Sequence, residues 1–152
     1  MPTHKERRVL PHTPEELFDL VADIERYPEF LPWCRGARIR RREGNVVIAD
    51  LVIGFKIYRE TYTSRVTLNR PDGIDVAYEK GPFRHLSNNW RFQPHSEGCE
   101  VDFYLDFEFR SRVLQAAMGM LFEEAVRRMV TAFTRRADAV YGREEDALPR
   151  RG

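Results

Sequence analysis

The chain has 152 residues, the size of one ordinary domain, and its 42% of hydrophobic residues is enough to build a core beneath a surface served by 32% charged ones. A formal net charge of +1 gives no strong case for a nucleic-acid binder, and no DNA partner is expected. Locally the charge is less even: Arg38, Arg40, Arg41 and Arg42 cluster, as do Arg127, Arg128, Arg135 and Arg136, which suits a solvated face, an anionic membrane surface or ribosomal RNA.

Taken in chain order, residues 4–10 read as a first strand of weak alternation. Thr13-Pro14-Glu15-Glu16 follows as a capping box with proline at the first helical position. Leu17, Leu20, Val21 and Ile24 then recur at helical spacing, which predicts a short amphipathic helix ending near Glu25. The segment 27–33 carries Pro28 and Pro32 among Tyr27, Phe30, Leu31 and Trp33. It predicts a helical turn under a sheet or at a cavity mouth, with those four residues as candidates for an entrance or membrane contact.

From 34 to 110 the period changes to two. Val47, Ala49, Leu51, Ile53 and Phe55 share one strand face. Tyr58, Tyr62, Val66 and Leu68 share the next, and Pro71-Asp72-Gly73 marks a turn. Ile74, Val76 and Tyr78 alternate with acids. Gly81-Pro82 interrupts the sheet, Leu86, Trp90 and Phe92 resume it, and Cys99, Val101, Phe103, Leu105, Phe107 and Phe109 form the clearest apolar face. The pattern predicts an antiparallel meander with one wet and one greasy side. From Val113 to Tyr141 no proline occurs, and Leu114, Met118, Phe122, Ala125, Met129, Phe133 and Ala137 make a helical stripe. Gly142 suits its stop, and Arg135 and Arg136 suit the negative end of its dipole. Gly119, inside this helix, marks either close packing or a flexible point. Residues 1–142 are expected to form one domain, and the charged tail 143–152 to fray.

The fold class expected is α+β, a curved antiparallel sheet of six to seven strands around a long C-terminal helix, with two short helices after the first strand. Such a pattern is compatible with a solid core or with a cavity. Large adaptable inward residues favour a cavity, among them Phe55, Tyr62, Tyr78 and Trp90 on middle strands, Phe103, Leu105 and Phe107 on the last, and Met118, Phe122 and Met129 on the helix. Polar Glu60, Ser64 and Asn88 fall on the apolar side, where they need partners. Tyr62, Asn88 and Glu60 are candidates for polar contact with a ligand, and Trp90 for stacking.

Four segments also carry a family resemblance. Residues 21–34 (VADIERYPEFLPWC), 62–66 (YTSRV), 81–92 (GPFRHLSNNWRF) and 107–111 (FEFRS) occur in the order seen in the coenzyme Q-binding START-domain family, within the polyketide cyclase/START-like superfamily. The resemblance implies a helix-grip fold with a tunnel, and non-catalytic binding and chaperoning of ubiquinone or a similar polyprenyl lipid in support of respiration. The family's bacterial relatives labelled as ribosome-association toxins suggest an alternative, inhibition through a ribosomal subunit. The superfamily's cyclases suggest a second.

Catalytic and metal motifs are lacking, so no catalytic residue, metal ligand or cofactor is expected, and ubiquinone is expected only as a bound ligand. His4, His12, His85 and His95 are scattered. His85 suits a quinone carbonyl or an ordinary surface role, and Glu60 has no evident partner acid for cyclase chemistry. Cys34 and Cys99 suggest neither a disulfide framework nor a metal site, which fits a reducing compartment. Residues 1–8 lack a signal core, and the longest uncharged run, 113–122, is far below the roughly 20 apolar residues a spanning helix needs. A cytoplasmic, bacterial protein in peripheral contact with the inner membrane is expected.

Overall fold

The structure, a computed structural model, describes residues 3–55 and 57–142; the tail expected to fray lies outside them. The elements run β1 (Thr3–Leu10), α1 (Pro14–Ala22), a 3-10 helix (Ile24–Glu29), β2 (Cys34–Glu43), β3 (Val46–Phe55), β4 (Tyr58–Asn69), β5 (Gly73–Lys80), β6 (Phe83–His95), β7 (Gly98–Phe109) and α2 (Arg112–Tyr141). The seven strands form one antiparallel sheet in the order β1-β7-β6-β5-β4-β3-β2. Each strand from β2 to β7 pairs with the next, while β1 crosses to pair with β7, Leu10 opposite Cys99. This is the curved sheet covered by a long helix that the alternation and the terminal stripe predict, and the helix-grip arrangement that the family resemblance implies.

The capping box at Thr13 is complete, with Glu16 N–H donating to Thr13 Oγ1 and Thr13 N–H to Glu16. The helix it starts is shorter than its apolar spacing suggests. It stops at Ala22 rather than near Glu25, because Asp23 leaves helical backbone geometry (φ −84°, ψ 67°), and Ile24 begins the tighter 3-10 turn that contains Pro28. The expected helical turn over 27–33 accordingly lies earlier in the chain.

At about 4.8 Å between strands, seven strands present a face roughly 29 Å wide, whereas a helix with its side chains is only about 10–12 Å across. One helix cannot fill that face. Curvature narrows the gap, and α1 closes one end, burying Leu17, Phe18, Leu20 and Val21. Phe18 meets Phe92 edge-on at 6.1 Å, and Arg70 in the β4–β5 turn holds Asp19 with both ends of its guanidinium at 2.8 and 2.9 Å.

Side chains tether α2 at its C-terminal half. His12, 4% exposed, brings its Nε2 to within 2.9 Å of Asp138. Gly98 (φ 136°) allows the chain at Leu10 to pass, since a Cβ there would meet the Leu10 carbonyl at 2.2 Å. Arg136 does not serve the helix dipole. It donates to Glu29 at 2.7 Å and lies 5.1 Å over the Phe30 ring, pinning the 3-10 segment to α2. Its hydrogen bond lowers the pKa of the Glu29 carboxyl from its ordinary value.

Gly119 is exposed, and a Cβ built on it meets nothing within 4 Å, so close packing does not account for it. Gly119→Ala is expected to stabilise the protein by about 0.5–1 kcal/mol through helix propensity alone, read as a higher Tm in thermal melts. An unchanged or lowered Tm would mean that α2 is not a regular helix there.

Candidate functional site

Between the concave face of the sheet and α2 lies a cavity with about 210 Å³ of room for a water-sized body, where a single water requires roughly 10–15 Å³. Strand β4 lays a column along it. Tyr58, Glu60, Tyr62, Ser64 and Val66 all point inward. Tyr58 and Glu60 are partly exposed, Tyr62 is 9% exposed and Ser64 fully buried, so the column deepens away from the β3–β4 hairpin. Strands β6 and β7 supply Leu86, Asn88 and Trp90 and then Phe103, Leu105 and Phe107, while α2 supplies Met118, Phe122 and Met129. Aromatic contacts stiffen the wall: Trp90 meets Phe103 at 4.7 Å and Phe133 at 5.2 Å, and Phe83 stacks on Phe109 at 4.7 Å. Gly81 (φ 146°) lets the β5–β6 turn lie against Tyr62, where a Cβ would approach the Tyr62 Cβ to 2.6 Å.

The polar groups in this wall differ in how they are satisfied. Asn88 is occupied by its neighbours, its amide donating to the Tyr104 carbonyl at 2.8 Å and its oxygen accepting from Trp90 Nε1 at 3.1 Å. The Ser64 hydroxyl has no hydrogen-bond partner among the described residues, and neither the Tyr62 hydroxyl nor the Glu60 carboxylate meets one there. Thr63, beside Ser64 but facing the other way, is satisfied by Asp50 at 2.6 Å. Burial raises the pKa of the Tyr62 phenol and of the Tyr27 phenol, which donates to the Val21 carbonyl. The two cysteines are buried outside the lining, and burial pushes each thiol up to about 11. Among the described residues no group of three His, Cys, Asp or Glu converges as a metal site.

Of the twelve cavity candidates, ten line the wall: Glu60, Tyr62, Asn88 and Trp90; Phe103, Leu105 and Phe107; and Met118, Phe122 and Met129. Tyr78 does not. It stands behind Phe83, ring to ring at 5.6 Å, with its hydroxyl accepting from the Phe83 N–H. The Phe55 side chain falls outside the described residues. Of the entrance candidates, Tyr27, Leu31 and Trp33 line the cavity, but Leu31 is only 1% exposed and so belongs to the wall rather than to a surface. Phe30 faces away, packed on Phe133 at 5.2 Å under Arg136. His85 lies outside the cavity, 3.4 Å from Asp106, where it meets no ligand in the tunnel. Residues the alternation did not bring forward include Val126 and Phe83, and Phe133 belongs to a stripe already visible in the sequence. Val126 follows Phe122 by four residues, a spacing that identifies it in retrospect.

At the hairpin end of the cavity, Gly54 and Tyr58 from the sheet and Leu114 from α2 line the wall. Beside them Ile57 is 92% exposed and Val113 63% exposed. Arg35, Arg59, Arg110 and Arg112 are exposed at the same end, and none is ion-paired among the described residues. Among the described residues no helix is long and apolar enough to cross a membrane.

Residues 10–134 match the family described as polyketide cyclase / dehydrase and lipid transport. A protein of Rickettsia prowazekii named ribosome association toxin RatA is 42% identical over 88% of this chain and 94% of its own length. The mitochondrial coenzyme Q-binding protein COQ10 homolog B of Xenopus laevis is 33% identical over 95% of this chain and 62% of that protein. The solution structure of an 18 kDa protein from Caulobacter crescentus, 37% identical, superposes with a TM-score of 0.75, covering 93% of this chain and 99% of that one. A START superfamily protein from Mycobacterium smegmatis shares the fold at 16% identity, with a TM-score of 0.77 over 91% of this chain and 98% of that one.

The raised phenol pKa values of Tyr27 and Tyr62 carry a consequence for stability. The folded protein keeps these protons at pH values where the unfolded chain, with tyrosine near pKa 10, releases them, so stability falls as pH rises through about 10. Absorbance titration is expected to show two of the six tyrosines ionising only with alkaline unfolding. Tyr62→Phe should leave one. Six tyrosines titrating freely in the folded state would contradict the buried geometry.

Proposed function

The chain belongs to the polyketide cyclase/dehydrase and lipid-transport family, and we propose that it binds and carries a neutral polyprenyl lipid of the ubiquinone type without chemically changing it. The observation that carries this reading is the apolar cavity under α2, whose only charged lining side chain among the described residues is Glu60. Aromatic and methionine walls suit a flat ring with a branched hydrocarbon tail. Burying one five-carbon unit gains about 4 kcal/mol at about 0.8 kcal/mol per methylene-sized group, but a bilayer offers the same gain. Such a site therefore favours exchange with a membrane over tight storage. Similarity to a protein named for coenzyme Q binding supports the choice of lipid.

Loading is proposed at the β3–β4 hairpin end rather than beside Phe30. Ile57 and Val113 offer apolar tips, and the arginines around them, none ion-paired among the described residues, suit anionic headgroups, each basic residue contributing about 1 kcal/mol near such a surface. Ile57→Asp is expected to reduce co-flotation with vesicles of phosphatidylglycerol and phosphatidylethanolamine several-fold while leaving the thermal melt unchanged. Equal flotation would remove this end as the docking face.

A second reading, supported by the similarity to RatA, is association with a ribosomal subunit. The edge strand β2 favours it. Arg38 and Arg42 are exposed there without an ion-pair partner among the described residues, whereas Arg40 and Arg41 are held by Asp50 and Glu43. Two experiments separate the readings. Organic extraction of freshly purified protein with mass spectrometry should yield near-stoichiometric quinone, and less from a folded Leu105→Arg variant. A folded protein that is empty and takes up no added quinone would overturn the carrier reading. Co-sedimentation with ribosomal subunits, steeply weakened by salt and by Arg38→Glu, would then favour the second.

A further inference from the structure

The hydroxyl of Ser64 has a property that the rest of the wall lacks. It is fully buried, it lines the cavity, and it has no hydrogen-bond partner among the described residues. A buried hydroxyl left unpaired is costly, and native proteins rarely keep one without a use. Its surroundings explain why the protein does not satisfy it. On β3 the residue opposite is Ala49, fully buried and without a polar side chain, and on β5 it is Tyr78, whose hydroxyl is taken by the Phe83 N–H. Thr63, the adjacent hydroxyl, is satisfied on the other face by Asp50, so the strand pairs one of two neighbouring hydroxyls and leaves the inward one open. One inward position along, the Tyr62 phenol also lacks a partner, and its raised pKa keeps it a donor.

From this arrangement we propose that Ser64 and Tyr62 form the head-group subsite of the cavity, so that the ligand lies head-inward, with an uncharged oxygen-bearing head held by these two hydroxyls, and that acidic lipids are rejected. The proposal rests on the carrier reading and adds the orientation, the contacts and the charge selection. The charge selection follows from the wall. Among the described lining residues there is no Lys, Arg or His, and the single charge is the Glu60 carboxylate, two residues toward the hairpin end from Tyr62. An anionic head would have to pass that carboxylate and then lose its hydration among aromatic rings with no cation to receive it, an unfavourable transfer. A carbonyl or hydroxyl head loses much less on leaving water, and the two waiting donors compensate it. Asn88 is not part of this subsite, its amide and oxygen already being bonded within the sheet.

The test uses the whole protein loaded with diphenylhexatriene, a hydrocarbon dye without a polar head, and measures its displacement by a benzoquinone carrying a ten-carbon tail and by decanoate. Wild-type protein should take up the dye, release it to the quinone, and prefer the quinone to decanoate by at least tenfold. Ser64→Ala should bind the dye as before but lose about tenfold in quinone affinity, the scale of one neutral hydrogen bond. The same variant without ligand should melt at the wild-type temperature or above it, since it removes an unpaired buried group. Quinone affinity unchanged in Ser64→Ala with the dye still bound would overturn the subsite alone, and would indicate a water held at that hydroxyl. Decanoate binding as well as the quinone would overturn the charge selection, and a lower melting temperature for the ligand-free variant would show that the hydroxyl serves the fold. Failure of the dye to enter at all would overturn the carrier reading and the subsite with it.

Discussion

Everything distinctive in this protein follows from a mismatch of width. A single antiparallel sheet of seven strands has one apolar face, and the chain supplies one long helix to cover it. A helix is less than half as wide as that face, so the sheet must curl and the helix must stand off from part of it. The space left over is the cavity. In a sandwich a second sheet of equal width would close such a space, and in a bundle neighbouring helices would interdigitate.

An unfilled interior is destabilising, because wall atoms lose partners. The structure compensates at its edges. The capped helix α1 closes one end, and two side-chain tethers fix α2 there: His12 to Asp138, and Arg136 to Glu29 and Phe30. Aromatic contacts run along the wall from Phe109 through Phe83 to Tyr62, and from Phe103 through Trp90 to Phe133. At the other end of α2, Gln115 in its first turn accepts from the Phe109 N–H of β7 at 2.8 Å. The helix is thus held by side chains at both of its ends.

The relatives divide between a ribosome-association protein and a coenzyme Q-binding protein, and the fold is compatible with both. The two readings concern different parts of the molecule. A lipid is a matter of the interior, where apolar area and a few hydroxyls decide. The ribosomal reading concerns the outer face and the edge strand β2, where Arg38 and Arg42 are exposed without an ion-pair partner among the described residues.

The sequence by itself determined the alternation of the strands, the capping box, the helical stripe and hence the sheet-and-helix architecture, because these depend on local periodicity and on which face is apolar. It also marked Glu60, Ser64 and Asn88 as polar residues on the greasy side. Only the tertiary structure decided their fates. Asn88 is satisfied by Tyr104 across on β7 and by Trp90 two residues along its own strand, while Ser64 faces Ala49 and stays unpaired among the described residues. Tyr78 packs outside the wall against Phe83, whose N–H its hydroxyl accepts, and Phe30 turned outward because Phe133 and Arg136 offered it a place. Register, crossover pairing and the distance at which a helix rests on a sheet arise from contacts between residues remote in sequence, and periodicity along the chain carries no record of them.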